Sequence, residues 1–142
     1  MSTWLYQFSP QTWSPERYRL EIWEAEKWAW SVGQRAGGKE PQAGDTVVFF
    51  CSPTGGKDPG FYGWAVVLEW FPTNDTPLYF RPVAPSDHLK MDPWWDDEAE
   101  DLANVIRGKV KRKTMWLVHD EYVSQIRRGI ARWLSLSSTA TQ

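Results

Sequence analysis

The chain has one cysteine, two histidines and three methionines in 142 residues. A lone thiol forbids any intrachain disulfide, so packing must hold the fold, and a reducing cytoplasm is its expected location. Cys51 follows Val47-Val48-Phe49-Phe50, a continuous apolar run that predicts a core thiol rather than a nucleophile. His88 and His119 have no neighbours at metal-ligand spacing, and one cysteine cannot build a cysteine-rich zinc site, so neither metal nor cofactor is expected. His119-Asp120-Glu121 belongs to no local nucleophile motif, and Thr54-Gly55-Gly56-Lys57 lacks the spacing of a phosphate loop. These absences argue against an enzyme. No run approaches the ~20 apolar residues of a membrane span, and the N-terminus lacks the apolar stretch of a signal peptide, so no membrane association is expected.

A strong excess of charge is also missing. Sixteen basic and eighteen acidic residues leave a net charge of −2, which argues against a protein that grips nucleic acid mainly by its phosphates. The charges are nevertheless segregated. Asp92, Asp96, Asp97, Glu98, Glu100 and Asp101 crowd one segment; Arg107, Lys109, Lys111, Arg112, Lys113, Arg127, Arg128 and Arg132 follow it. Within that basic third, Lys109, Lys111, Arg112 and Lys113 are candidate phosphate contacts.

What the chain has in abundance is tryptophan: eleven, with five tyrosines and six phenylalanines. A core of this size needs only a few indoles, each of which requires a partner for its N–H. Several rings are therefore expected to line a surface or pocket, where they suit flat ligands such as nucleobases.

Hydrophobic patterning predicts strands at Trp4–Phe8, Thr46–Cys51, Phe61–Phe71, Leu78–Val83 and Thr114–His119, with a short extended segment at Trp28–Val32. Gly63 predicts a bulge or a close backbone approach, and Pro82 a strand end or an edge. Trp94 and Trp95 cannot both face inward from one strand, so one should be exposed. Ser14-Pro15 opens a helix running to about Glu26, and Gly33 to Gly38 reads as a loop. Asp96 to Ile106 reads as a second helix closed by Gly108, and Asp120 as the cap of a last helix with Tyr122, Val123, Ile126, Ile130 and Trp133 on one face. The expectation is a single domain over residues 1–135 with a polar tail at 136–142. Strands do not alternate with helices, so the class is α+β: a curved, mostly antiparallel sheet or small barrel with flanking helices.

Trp4-Leu5, a short helix, Trp30-Ser31-Val32, Gly44-Asp45 before an apolar strand, and Gly60-Phe61-Tyr62-Gly63-Trp64-Ala65-Val66-Val67 occur in an order that resembles the EVE domain. That family is PUA-like and close to the YTH domains. The resemblance covers Trp4 to about Val83; from Asp92 onward only the helix–strand–helix order matches. It implies a PUA-like sheet curled round a pocket for one modified, often methylated, base. In YTH domains a Trp-Ser pair stands where Trp30-Ser31 stands here, and the Trp walls an aromatic cage. The second wall falls by position on Phe80, where a Phe replaces the usual Trp, with Tyr79 as the alternative. Ser31, Val32, Asp45 and Trp64 complete the candidate set, although Gly-Asp before a strand is also an ordinary turn and Trp64 is equally a core residue. Bacterial EVE domains are often fused to restriction nucleases; here the effector is expected to be a separate protein. The expected function is thus a non-enzymatic module reading a modified base in DNA or RNA. The alternative is a pocket for a small planar, nucleoside-like metabolite.

Overall fold

The computed structural model describes residues 1–8, 28–31, 35–36, 40–52, 59–70, 77–84, 94–108 and 114–140, with the backbone alone at 28–31, 35–36, 77, 82, 84 and 137–140. The helix expected from Ser14 to Glu26 lies outside these residues. Seven strands form one sheet: β1 (Thr3–Phe8), β2 (Trp28–Ser31), β3 (Arg35–Ala36), β4 (Thr46–Cys51), β5 (Gly60–Trp70), β6 (Pro77–Ala84) and β7 (Met115–Val118). Their order is β2-β6-β5-β4-β1-β7-β3. The β1–β4 and β3–β7 pairs are parallel and the other four antiparallel. Helix α1 (Asp97–Arg107) precedes β7, and α2 (Asp120–Ala140) follows it. The architecture is α+β, as the patterning predicts.

One short connection shapes this sheet. β2 and β3 stand at its opposite edges, yet only residues 32–34 separate them. Four Cα steps from Ser31 to Arg35 reach at most about 14 Å. Seven flat strands would span about 29 Å at the usual spacing, so the sheet has to roll until its two edges approach. Rolling gives two cores. Trp4, Tyr6, Phe8, Val47, Phe49, Tyr62, Val67, Leu78, Phe80 and Met115 pack on one face, with Cys51 among them as expected. On the other face, Leu5, Val48, Phe50, Phe61 and Trp116 receive Ala99, Leu102 and Ala103 of α1 and Ile126 and Ile130 of α2.

Local features follow from particular residues. Between Phe49 and Phe50 the β4–β5 register shifts opposite Gly63 and Phe61. Gly63 has φ 124°, a left-handed conformation that a side chain would disfavour. Pro82 pairs with Ala65 of β5, beyond the point where β2 leaves β6 at Phe80, so its missing N–H disturbs no second ladder. The Asp96 carboxylate caps α1 by accepting the Ala99 N–H at 2.8 Å, and Gly108, at φ 61°, ends that helix.

Two expectations are corrected. The segment Gly33 to Gly38 contains a strand pair, since Arg35 and Ala36 run alongside Met115 and Trp116; backbone pairing there outweighs the loop-like composition. The last helix continues to Ala140, through the stretch expected to be tail: Ser135 to Thr139 are indifferent helix formers, and an established helix adds residues without a new nucleation cost.

Trp94 joins the helices to the sheet. Its backbone exchanges hydrogen bonds with Phe61 at 2.9 and 3.1 Å, and its indole N–H donates to Asp96 Oδ2 at 3.2 Å. Trp94 is buried and Trp95 half-buried against the helix-side cluster, so neither is exposed, as the pair was expected to require; the Trp94 ring is the inner one. Its ring lies so close to α2 that a Cβ at Gly129 would come within 2.4–2.5 Å of it. Gly→Ala within a helix ordinarily stabilises by about 1 kcal/mol. Here overpacking of about 1–3 kcal/mol opposes that gain. Gly129→Ala should therefore lower the thermal melting temperature, whereas a rise would mean that Trp94 moves aside at no cost.

Candidate functional site

Antiparallel pairing sets Trp28 opposite Phe80, Ala29 opposite Tyr79, Trp30 opposite Leu78 and Ser31 opposite Pro77. The two halves of the expected cage are thus neighbouring strands. Directly paired positions share a face, so Trp28, Trp30, Leu78 and Phe80 occupy one face of this ribbon, and Ser31 and Tyr79 the other. Phe80 has no exposed surface and packs on Phe49 with ring centroids 5.0 Å apart; Tyr79 is half-buried. Val32 lies outside the described residues, as do Lys109, Lys111, Arg112 and Lys113.

Asp45 has a position of its own. Its buried carboxylate accepts the Ser2 N–H at Oδ1 (3.0 Å), and the Trp4 indole N–H (3.2 Å) and Gln42 N–H (3.0 Å) at Oδ2. These bonds tie the start of β1 to the turn before β4, where Gly44 sits at φ 92°. Trp64 is separated from Phe80: it packs with the helix-side cluster, under the Arg127 guanidinium at 5.3 Å from its ring centroid. Arg127 also donates to Thr46 Oγ1 at 3.4 Å. The described basic residues of α2 therefore gather on the helix side. Arg132 is already answered there by Asp96 and Glu98, each at 3.7 Å.

Sequence reasoning did not select Arg107 as a site residue. It ends α1, where a cation complements the helix dipole, and folds back onto the sheet. Nη1 donates to Gln7 Oε1 at 3.1 Å and Nη2 to Asn104 Oδ1 at 2.8 Å, with the guanidinium 5.1 Å from the Phe50 ring centroid. Burial lowers its pKa, while Glu100 acts in the opposite sense. Its sequence signals were its place before Gly108 and at the head of the basic run. Among the described residues no three His, Cys, Asp or Glu side chains converge as a metal site, and His119 is exposed.

The scan against protein-family models and the search of curated proteins both find no match. Solved structures do match. An NMR structure from Rhodopseudomonas palustris aligns with TM-score 0.58 and 14% identity, over 92% of this chain and 94% of its own. A crystal structure from Pseudomonas syringae gives 0.57 and 17%, over 89% and 97%. A hypothetical protein from Leishmania major gives 0.57 and 17%, over 93% and 96%. At such identities the likeness establishes a shared α+β fold across nearly the whole of each chain.

Two outcomes follow from the buried polar groups. Asp45→Ala strips the acceptor from three N–H donors, and should cost about 2–4 kcal/mol of stability, read from urea denaturation. A change under about 0.5 kcal/mol would show that the carboxylate does not hold β1. Burial also raises the Tyr6 phenol pKa well above its usual value. The native state then keeps that proton while the unfolded chain releases it above about pH 10. Tyr6 thus contributes stability that is full below that pH and lost as pH rises through the alkaline range. Tyr6→Phe should flatten the alkaline decline, measured as urea midpoint against pH.

Proposed function

We propose that the chain is a non-catalytic binding module that reads a modified base in DNA or RNA, with Trp30 and Ser31 of β2 contributing to the aromatic site. The observation that carries this reading is the β2–β6 pairing, which sets the Trp-Ser pair next to the aromatic strand holding Tyr79 and Phe80. It extends the resemblance to EVE and PUA-like domains. Phe80, enclosed against Phe49, lies on the face that Trp30 shares and backs the site, whereas half-buried Tyr79 stands with Ser31 on the opposite face of the ribbon.

The energetics require more than one ring. Taking a base out of a duplex costs about a few kcal/mol, and stacking on an aromatic side chain returns roughly 1–3 kcal/mol per base. Hydrogen bonds to the base edge must supply the rest. A methyl group placed in an apolar corner adds on the order of 0.8 kcal/mol, enough for modest preference. Single-stranded targets avoid the unstacking cost and should bind more tightly than duplex.

Trp30→Ala tests the assignment. A ring in a ligand site leaves the melting temperature nearly unchanged and takes about 1–3 kcal/mol from affinity for the modified oligonucleotide. A core ring instead costs about 3–5 kcal/mol of stability. The ligand panel comprises oligonucleotides with 5-methylcytosine or N6-methyladenine, their unmodified counterparts and the free nucleosides. Tighter binding of a modified oligonucleotide, lost in Trp30→Ala, supports the reading. Free nucleosides binding as tightly as oligonucleotides would favour the small-metabolite alternative, and a destabilised Trp30→Ala protein would remove Trp30 from the site.

A further inference from the structure

Among the described residues, Arg107 has no anionic hydrogen-bond partner. Both of its bonded acceptors, Gln7 Oε1 and Asn104 Oδ1, are neutral amide oxygens, and Nε is buried without an acceptor. Glu100 acts on it only through space, and among the described residues it forms no ion pair. Arg132, by contrast, meets two carboxylates. An idle surface arginine would waver in solvent. Arg107 is held on two sides and stacked over Phe50, which fixes its fork before any ligand arrives. Each Nη group carries a second proton beyond the one it has donated. A preorganised guanidinium with spare donors and no ion-pair partner among the described residues suits phosphate oxygens better than a mobile lysine does.

Its position links it to the proposed site. Gln7, which holds it, donates its backbone N–H to Thr114 O at 2.9 Å. The next residue, Met115, pairs with Arg35 of β3, and Arg35 is four residues from Ser31, a reach of at most about 14 Å. Arg107 is thus connected through Gln7 and Met115 to β3, the strand that follows β2 in the chain. In sequence, Lys109, Lys111, Arg112 and Lys113 follow it at once.

We propose that Arg107 contacts a backbone phosphate of the nucleic acid whose base is read at β2. This inference rests on the functional reading above. A phosphate contact carries no base information, and that separates the two in one experiment. The full chain is titrated into a labelled single-stranded oligonucleotide bearing the preferred modified base, and into its unmodified counterpart, between about 50 and 200 mM salt. Arg107→Gln should weaken both by the same factor, severalfold, and reduce the log–log salt slope by about 0.7, the share of one single-strand phosphate. Arg107→Lys should keep the slope. An unchanged slope in a folded Arg107→Gln protein overturns the proposal. A measurement on the unaltered chain guards against misfolding of the variant: the Arg107 Nε–H NMR resonance should shift on adding the unmodified oligonucleotide at low salt, and a stationary resonance also overturns it. A reduced slope without preference for the modified base would sustain the phosphate contact while refuting the base-reading assignment. No binding to any oligonucleotide would refute both.

Discussion

Everything in this fold answers to the brevity of the chain between β2 and β3. Two strands at opposite edges of a seven-stranded sheet are joined by so few residues that the sheet cannot lie flat. Rolling encloses one face, whose side chains fill the interior with Leu134 of α2 packed against them. Phe8, Phe49, Tyr62 and Phe80 meet this demand, with ring pairs at 5.5 Å (Phe8–Tyr62) and 5.0 Å (Phe49–Phe80). The outer face remains free to carry both helices. The same closure keeps Ser31, at the end of β2, within about 14 Å of Arg35, which pairs with β7. A longer link would let the edges part and would dissolve that juxtaposition.

The tryptophans are distributed by the needs of their N–H groups as much as by their bulk. Trp4 and Trp94 each donate to an aspartate, Asp45 and Asp96. Each thereby ties a core ring to a chain reversal: the turn before β4 in one case, the start of α1 in the other. Trp116 and Trp133 keep buried indole N–H groups without acceptors among the described residues, at about 1–3 kcal/mol each. Filling this core with indoles therefore carries a cost that smaller aliphatic residues would avoid. Trp64 lies under Arg127 on the helix side and covers the sheet there.

Much of the fold was legible in the sequence because its signals are local. The apolar run Val47–Cys51, the Gly63 break and the capped segment Asp96–Gly108 each carry their own punctuation. The pair Arg35–Ala36 does not: two residues have no period, and their strand conformation comes from pairing with Met115 and Trp116. The extent of the last helix was hidden for a related reason, since the polar residues after Leu134 make no amphipathic stripe and follow a helix already nucleated. At the site, the motif order suggested that Trp30-Ser31 and Phe80 belong together, and the β2–β6 register makes them neighbours. The seclusion of Phe80 against Phe49 was not legible, because it depends on how far the sheet rolls. Asp45 shows the opposite limit. Gly-Asp before a strand signals a turn, but nothing local reveals that the carboxylate also takes the Trp4 indole N–H. Arg107 was hidden for want of a pattern: its fork is set by Gln7, which is distant in sequence.

The central claim is that the ligand enters where β2 meets β6, and indole N–H resonances test it directly. Eleven tryptophans give up to eleven such signals in a 15N correlation spectrum, assignable by single substitutions. On titration with a single-stranded oligonucleotide carrying the preferred modified base, the Trp30 signal should move most. Signals of Trp4 and Trp94, bonded to Asp45 and Asp96, should stay in place. A spectrum in which Trp30 is unmoved while Trp64 responds would relocate the base-reading site and contradict the account.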